Sequence, residues 1–196
     1  MESLDTQTWI MIAAVVALGL VALGAWFFYQ KKQSHKLQER FGPEYGRTVN
    51  ELGSRTKGES DLKAREQRVE RLDILALAPS EAARFTTAWQ ALQSRFVDNP
   101  KGVVVQAEQL VRELMEKRGY PMGDFERRAG DISVDHPDVV ANYRSAQAIA
   151  VRDRQGAADT EELRKAVVHY RALFDELLEV REARQEIIPE KRVAAL

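Results

Sequence analysis

No cysteine occurs among the 196 residues. That single absence removes disulfides, thiolate metal sites, a cysteine nucleophile and a lipidated cysteine anchor. Histidine is nearly as scarce, with only His35, His136 and His169. None has an acid or another histidine three positions away, so the Glu-x-x-His pattern of di-iron bundles and the His-Glu-x-x-His zinc helix are both missing. An excess of either charge is lacking too: 29 Lys and Arg face 30 Asp and Glu, a net charge of −1. A protein that coats nucleic acid carries a strong basic surplus, so any basic function here is local. No stretch alternates apolar and polar residues with period two, and no sheet is expected. At 22.2 kDa the chain has room for one modest domain and an appendage.

What the sequence has in plenty is one long apolar run. Trp9 to Tyr29 reads WIMIAAVVALGLVALGAWFFY, without a charge. A helix of this length rises ~30 Å at ~1.5 Å per residue, the thickness of a bilayer's hydrocarbon core. Trp9 at one end and Trp26 with Tyr29 at the other place amphipathic rings at headgroup depth. A cleavable signal peptide needs a basic start and a shorter apolar stretch, whereas the first eight residues carry Glu2 and Asp5 and no cation. The run is therefore expected to be a retained transmembrane helix. Lys31, Lys32, Lys36 and Arg40 follow it and no cation precedes it. The positive-inside rule then puts the N-terminus outside and the bulk of the chain on the cytoplasmic side of the membrane. Those four cations are the candidate contacts to anionic lipid headgroups, each contributing ~1 kcal/mol of attraction near the leaflet. Ala13, Ala17 and Gly24 lie near one face of the span, but such residues are common filler in any apolar helix.

Gly42 and Pro43 break the helix that leaves the membrane. From Glu44 to Asp73 the chain has helical propensity but little amphipathicity: Tyr45, Val49 and Leu52 make one stripe, Leu62, Val69 and Leu72 another, with Gly53 and Gly58 breaking between them. This region reads as two helical pieces or one frayed helix, not a core element. From Lys31 to Arg71 there are eleven Lys or Arg against seven acids, net +4, and from Leu72 onward the balance is −3.

Beyond it, four amphipathic helices are punctuated clearly. Pro79 opens the first, with Phe85, Trp89, Leu92 and Phe96 at steps of four, three and four. Asn99 caps and Pro100 starts the second, with Val103, Ala107, Leu110 and Leu114 inward, and Gly119 with Pro121 ends it. A connector from Asp124 to Ala129 supports one or two helical turns. Asp135 or His136 caps a third helix begun by Pro137, with Val139, Tyr143, Ala146 and Ala150 inward, stopping at Gly156. Asp159 and Glu162 form a capping box for the last, whose stripe is Leu163, Val167, Tyr170, Phe174 and Leu177. The expected fold is all-α: an acidic tail over 1–8, a transmembrane helix over 9–30, a basic membrane-proximal region over 31–72, a cytoplasmic helical bundle over 73–181 and a tail over 182–196.

ERFGPEY (Glu39 to Tyr45), RVERLDI (Arg68 to Ile74), SRFVDNP (Ser94 to Pro100), RGYP (Arg118 to Pro121), SVDHP (Ser133 to Pro137) and VHYRALFDELL (Val168 to Leu178) resemble a family of short bacterial single-pass membrane-anchored helical proteins. The resemblance spans most of the soluble part. It implies a bacterial origin and a unified domain, and it carries over no activity and no catalytic residue. APSE (Ala78 to Glu81) departs from the Ser-Pro-Glu-Glu start expected of that family.

Chemistry is harder to find. Gly53 to Ser60 has the glycine spacing of a phosphate loop, but Glu59 stands where a lysine must meet the phosphates. His35 and Glu39 make a surface pair at i,i+4. His136 with Asp135 and Asp138 offers too few ligands for a metal, and His169 reads as a bundle-edge histidine beside Tyr170. No catalytic, cofactor or metal site is assigned. The leading expectation is a non-catalytic, membrane-tethered module that presents its bundle to a protein partner or to its own copy, with the bilayer as its other partner and no nucleic acid. The alternative is a ligand-binding or enzymatic bundle with a site near His136 and His169, drawing on Asp135, Tyr170 and Glu176.

Overall fold

In a computed structural model of the chain, the backbone is described for residues 6–186. Glu2, Asp5 and the tail from Ile187 to Leu196 with Pro189 lie outside the described residues, as do the side chains of Ala13 and Trp26. The described chain is all-helical, with eight helices and no strand: α1 (Thr6–Phe41), α2 (Pro43–Leu52), α3 (Arg55–Val69), α4 (Pro79–Ser94), α5 (Pro100–Lys117), α6 (Phe125–Asp135), α7 (Pro137–Arg154) and α8 (Thr160–Glu186). It divides into two units, Met1–Arg40 and Phe41–Leu196.

The first unit is most of α1. From Ala14 to Ala25 every residue is exposed, and Phe27, Phe28 and Tyr29 follow suit. A helix apolar on all sides has no polar face to offer water. Ala14–Phe41 is the one candidate span among the described residues, long and apolar enough to cross a membrane.

In the second unit the helix ends follow the punctuation. Gly42 takes φ +48° between α1 and α2. The Asn99 side chain accepts from the Gly102 amide at 3.0 Å and opens α5. At its far end the amide of Gly119 donates to Glu116 and that of Tyr120 to Met115, a Schellman motif. Gly119 has φ +89°, and a Cβ there would lie 2.5 Å from the carbonyl of Asp73. Only glycine satisfies both conditions. The α8 capping box forms as expected, Glu162 amide to Asp159 Oδ1 at 2.8 Å and Asp159 amide to Glu162 Oε2 at 3.1 Å. Ala78, by contrast, opens α4 without a side-chain cap.

The principal core joins α4, α5, α7 and α8, with Ala129 and Ile132 of α6. Phe85, Trp89 and Leu92 of α4, Val103, Ala107, Leu110 and Leu114 of α5, Tyr143, Ala146 and Ala150 of α7, and the whole α8 stripe are buried in one cluster. Trp89 and Phe174 stack at its centre, ring centroids 4.7 Å apart. Phe96 and Val139 reach it only partly. Phe96 lies past the end of α4, where the helical spacing no longer sets its direction.

Three elements differ from their reading in the sequence. The connector after Asp124 is a full helix, α6, with Arg128 through Val134 buried in succession. Its polar residues hid it, since Arg128, Asp131 and Ser133 face inward and find partners there. Gly58 does not break a helix but sits inside α3, where a Cβ would meet Val49 of α2 at 2.8 Å. Its missing side chain lets the two helices close on each other. Finally, α2 and α3 belong to the second unit, packed on α6 and α7, with Glu44, Tyr45, Thr48, Leu62 and Val69 buried. Their apolar stripes are short, and the named side-chain links to α6 and α7 are ion pairs between residues far apart in the chain.

Candidate functional site

The four cations that follow the apolar run sit on the last turns of α1. Lys31, Lys32, Lys36 and Arg40 are all exposed. Lys32, Lys36 and Arg40 repeat every four residues and so share one stripe of the helix. His35 and Glu39 pair at 3.2 Å, both well exposed. This stripe continues the apolar run without a break in the helix, which puts fixed positive charge next to its end.

The histidines of the alternative reading fall on the seam between α7 and α8. His136 holds the N-cap position of α7 without capping it. Its buried ring instead places Nδ1 3.0 Å from Glu176 Oε1 on α8. His169 Nδ1 lies 2.8 Å from Asn142 Oδ1. The structure thus brings His136 to Glu176 as the alternative needs, but engages His169 in a separate pair. Tyr170 is buried and its hydroxyl donates to Gln147 Oε1 at 3.2 Å; burial pushes that hydroxyl far above its ordinary range, with the charge of Glu108 adding to the shift. Among the described residues no three His, Asp or Glu side chains gather as a metal site.

The densest charge cluster was not legible in the sequence. Glu44, second residue of α2, is almost wholly buried, its side chain 2% exposed. Its Oε1 accepts from Arg144 Nη2 on α7 at 2.8 Å, from Arg65 Nη1 on α3 at 3.0 Å and from Arg47 Nη1 at 3.2 Å. Glu126 of α6 closes the group by accepting from Arg144 and Arg47. Burial alone would raise the Glu44 carboxyl, but hydrogen bonds from Arg144 and Arg65 and the charges of Arg144 and Arg47 together hold it below 4.5. A second pair joins α3 to α6: Asp131 Oδ1 accepts from Arg68 Nε at 2.7 Å. Asp131 is fully buried and its Oδ2 has no hydrogen-bond partner among the described residues. A Cβ at Gly130 beside it would stand in ordinary van der Waals contact with the Arg65 side chain, 3.4 Å from Nε. From sequence, Glu44 is merely an acid in a first helical turn and Arg144 a polar residue between Tyr143 and Ser145.

Two further features complete the polar inventory. Arg118, buried at the end of α5, donates through Nη1 to the Leu177 carbonyl of α8. A groove of about 520 Å³ runs along the outer face of α5, lined by Glu108, Arg112, Glu113, Glu116, Met122 and Arg154 among others. Its charges are mixed, and Arg154 is already paired with Glu108 at 3.5 Å. No protein-family model, curated protein or solved structure matches the chain.

Proposed function

We propose that this chain is a membrane-tethered helical module, anchored by α1 with its N-terminus outside and its bundle in the cytoplasm, that presents the bundle to a protein partner or to a second copy. The observation that carries this reading is α1 itself. One continuous helix is exposed and apolar over Ala14–Ala25, and its following turns carry the stripe of Lys32, Lys36 and Arg40. Hydrocarbon is the solvent that suits the first part and an anionic leaflet the second. The resemblance to bacterial membrane-anchored helical proteins points the same way.

Tethering supplies function without chemistry, because confinement to a surface raises the local concentration of the bundle near other membrane proteins. The aromatic side chains support a packing role, since Phe85, Trp89, Tyr143, Tyr170 and Phe174 fill the core. The test is recovery of tagged protein from solubilised bacterial membranes, with and without residues 1–30. A defined set of co-purifying membrane proteins, lost on truncation, is the expected result. The same set recovered by both forms would contradict a role for the tether.

A further inference from the structure

We propose that α2 and α3 form a detachable clasp, held on the bundle by the Glu44–Arg65–Arg144 and Arg68–Asp131 charge clusters, that opens as one unit while α4, α5, α7 and α8 stay folded. The two parts are held in different ways. The principal apolar cluster takes its buried members from Leu77 to Leu177. Phe41, Tyr45, Leu62 and Val69 are buried as well but lie outside it. Across the contact of α2 and α3 with α6 and α7, the named polar links are Glu44 to Arg144, Arg47 to Glu126 and Arg68 to Asp131.

Such a contact opens more readily than a hydrocarbon core. Desolvating a carboxylate and a guanidinium offsets much of their attraction, and on opening both recover hydration. Parting Trp89 from Phe174 would expose apolar surface with no such return. The hairpin also has its own cohesion. Gly58 seats α3 directly on Val49 of α2, and the Tyr45 hydroxyl donates to Glu59 Oε1 at 2.8 Å. These contacts are internal to the clasp and survive its release. At each end the chain is jointed: Gly42 with positive φ on one side, and residues 70–78, outside any helix, on the other.

Taken with the membrane reading above, on which this consequence rests, release would add the intact α2–α3 hairpin to the tether, whose reach is bounded by its longer helix, α3, ~22 Å for 15 residues at ~1.5 Å per residue. The opening itself does not depend on where α1 resides, so its test stands apart from the membrane test.

The experiment is amide hydrogen exchange, read by mass spectrometry on the full chain in detergent micelles, for the native protein and for Glu44→Gln, Arg68→Gln and Arg164→Gln. In the native chain, peptides within 43–69 should exchange together, about tenfold or more faster than the slowest amides of α5 and α8. Glu44→Gln and Arg68→Gln should each accelerate 43–69 by roughly tenfold more, because each leaves a buried charge short of a partner, while α5 and α8 keep their rates. Arg164→Gln, at the exposed Glu161–Arg164 pair of α8, should change nothing. Protection of 43–69 equal to that of α5 and α8 would overturn the proposal. So would a Glu44 or Arg68 variant that leaves 43–69 unaffected or loosens the whole bundle together.

Discussion

The stack of Trp89 on Phe174 sets the stability of the principal core, and its magnitude can be worked out. Trp89 is 2% exposed and Phe174 1%, with rings 4.7 Å apart and inclined by 26°. Truncating either to alanine removes a buried aromatic and leaves a cavity, a cost of ~3–5 kcal/mol against the ~5–15 kcal/mol of a typical domain. The two losses should not add. A stacked pair contributes ~0.5–1.5 kcal/mol beyond its buried area, and the double variant loses that contribution once. Trp89→Phe is a sharper probe. The indole Nε1 is buried without a hydrogen-bond partner among the described residues, and an unmet buried donor costs ~1–3 kcal/mol. Replacing Trp89 by Phe sacrifices area but removes that penalty, so the net cost should stay below ~2 kcal/mol. Urea unfolding of a fragment from Phe41 onward, followed by far-ultraviolet circular dichroism, reads all four variants as midpoint shifts at constant slope. The fragment retains Trp89 alone of the three tryptophans, so its fluorescence reports on the same core. Strictly additive alanine costs, or a Trp89→Phe variant as unstable as Trp89→Ala, would refute the reasoning.

A soluble fragment over 41–186 should be at least as stable in urea as one over 72–180, because the shorter one strips α6 and α7 of the partners of Asp131 and Arg144; greater stability of the shorter fragment would show that α2 and α3 contribute nothing. The pH dependence has a definite sign. Glu44 is held below 4.5 when folded, surrounded by Arg47, Arg65, Arg144 and Glu126, so its contribution is present above that value and is lost as pH falls through the lower folded one. The difference between thermal melts of the native chain and Glu44→Gln should therefore narrow as pH is lowered from about 7 toward about 3. His169→Ala removes one half-exposed hydrogen bond to Asn142 and should cost about 1 kcal/mol in the same melts. His136→Ala removes a buried ring and leaves Glu176 without it, and should cost more.

The helices that could be read from the sequence are those whose burial is apolar and periodic. Leu163, Val167, Tyr170, Phe174 and Leu177 announce the buried face of α8, and Asp159 with Glu162 announces its start. The apolar run of α1 is legible for the same reason. What escaped is whatever is buried through charge. Glu44, Asp131 and Arg118 are buried by partners far along the chain, Arg144 for Glu44, Arg68 for Asp131 and the Leu177 carbonyl for Arg118. No local spacing encodes a partner one hundred residues away. Hence α6 reads as a connector and α2 with α3 as an outlying strip. Gly58 misleads in a related way: a glycine is a breaker by propensity, yet here the packing of Val49 against it is worth more than the flexibility it costs. Of the candidate site, the cations after the apolar run were legible by counting, whereas the pairing of His136 with Glu176 rather than His169 depends on how α7 and α8 meet.

Membrane anchorage with the bundle inside is tested most directly by protease treatment of bacterial spheroplasts that express the full chain with a C-terminal tag. The account predicts that the protein stays in the membrane pellet through an alkaline carbonate wash, and that protease leaves the tagged bundle whole until the spheroplasts are lysed. Release into the carbonate supernatant would contradict the anchor, and digestion of the bundle before lysis would contradict the orientation.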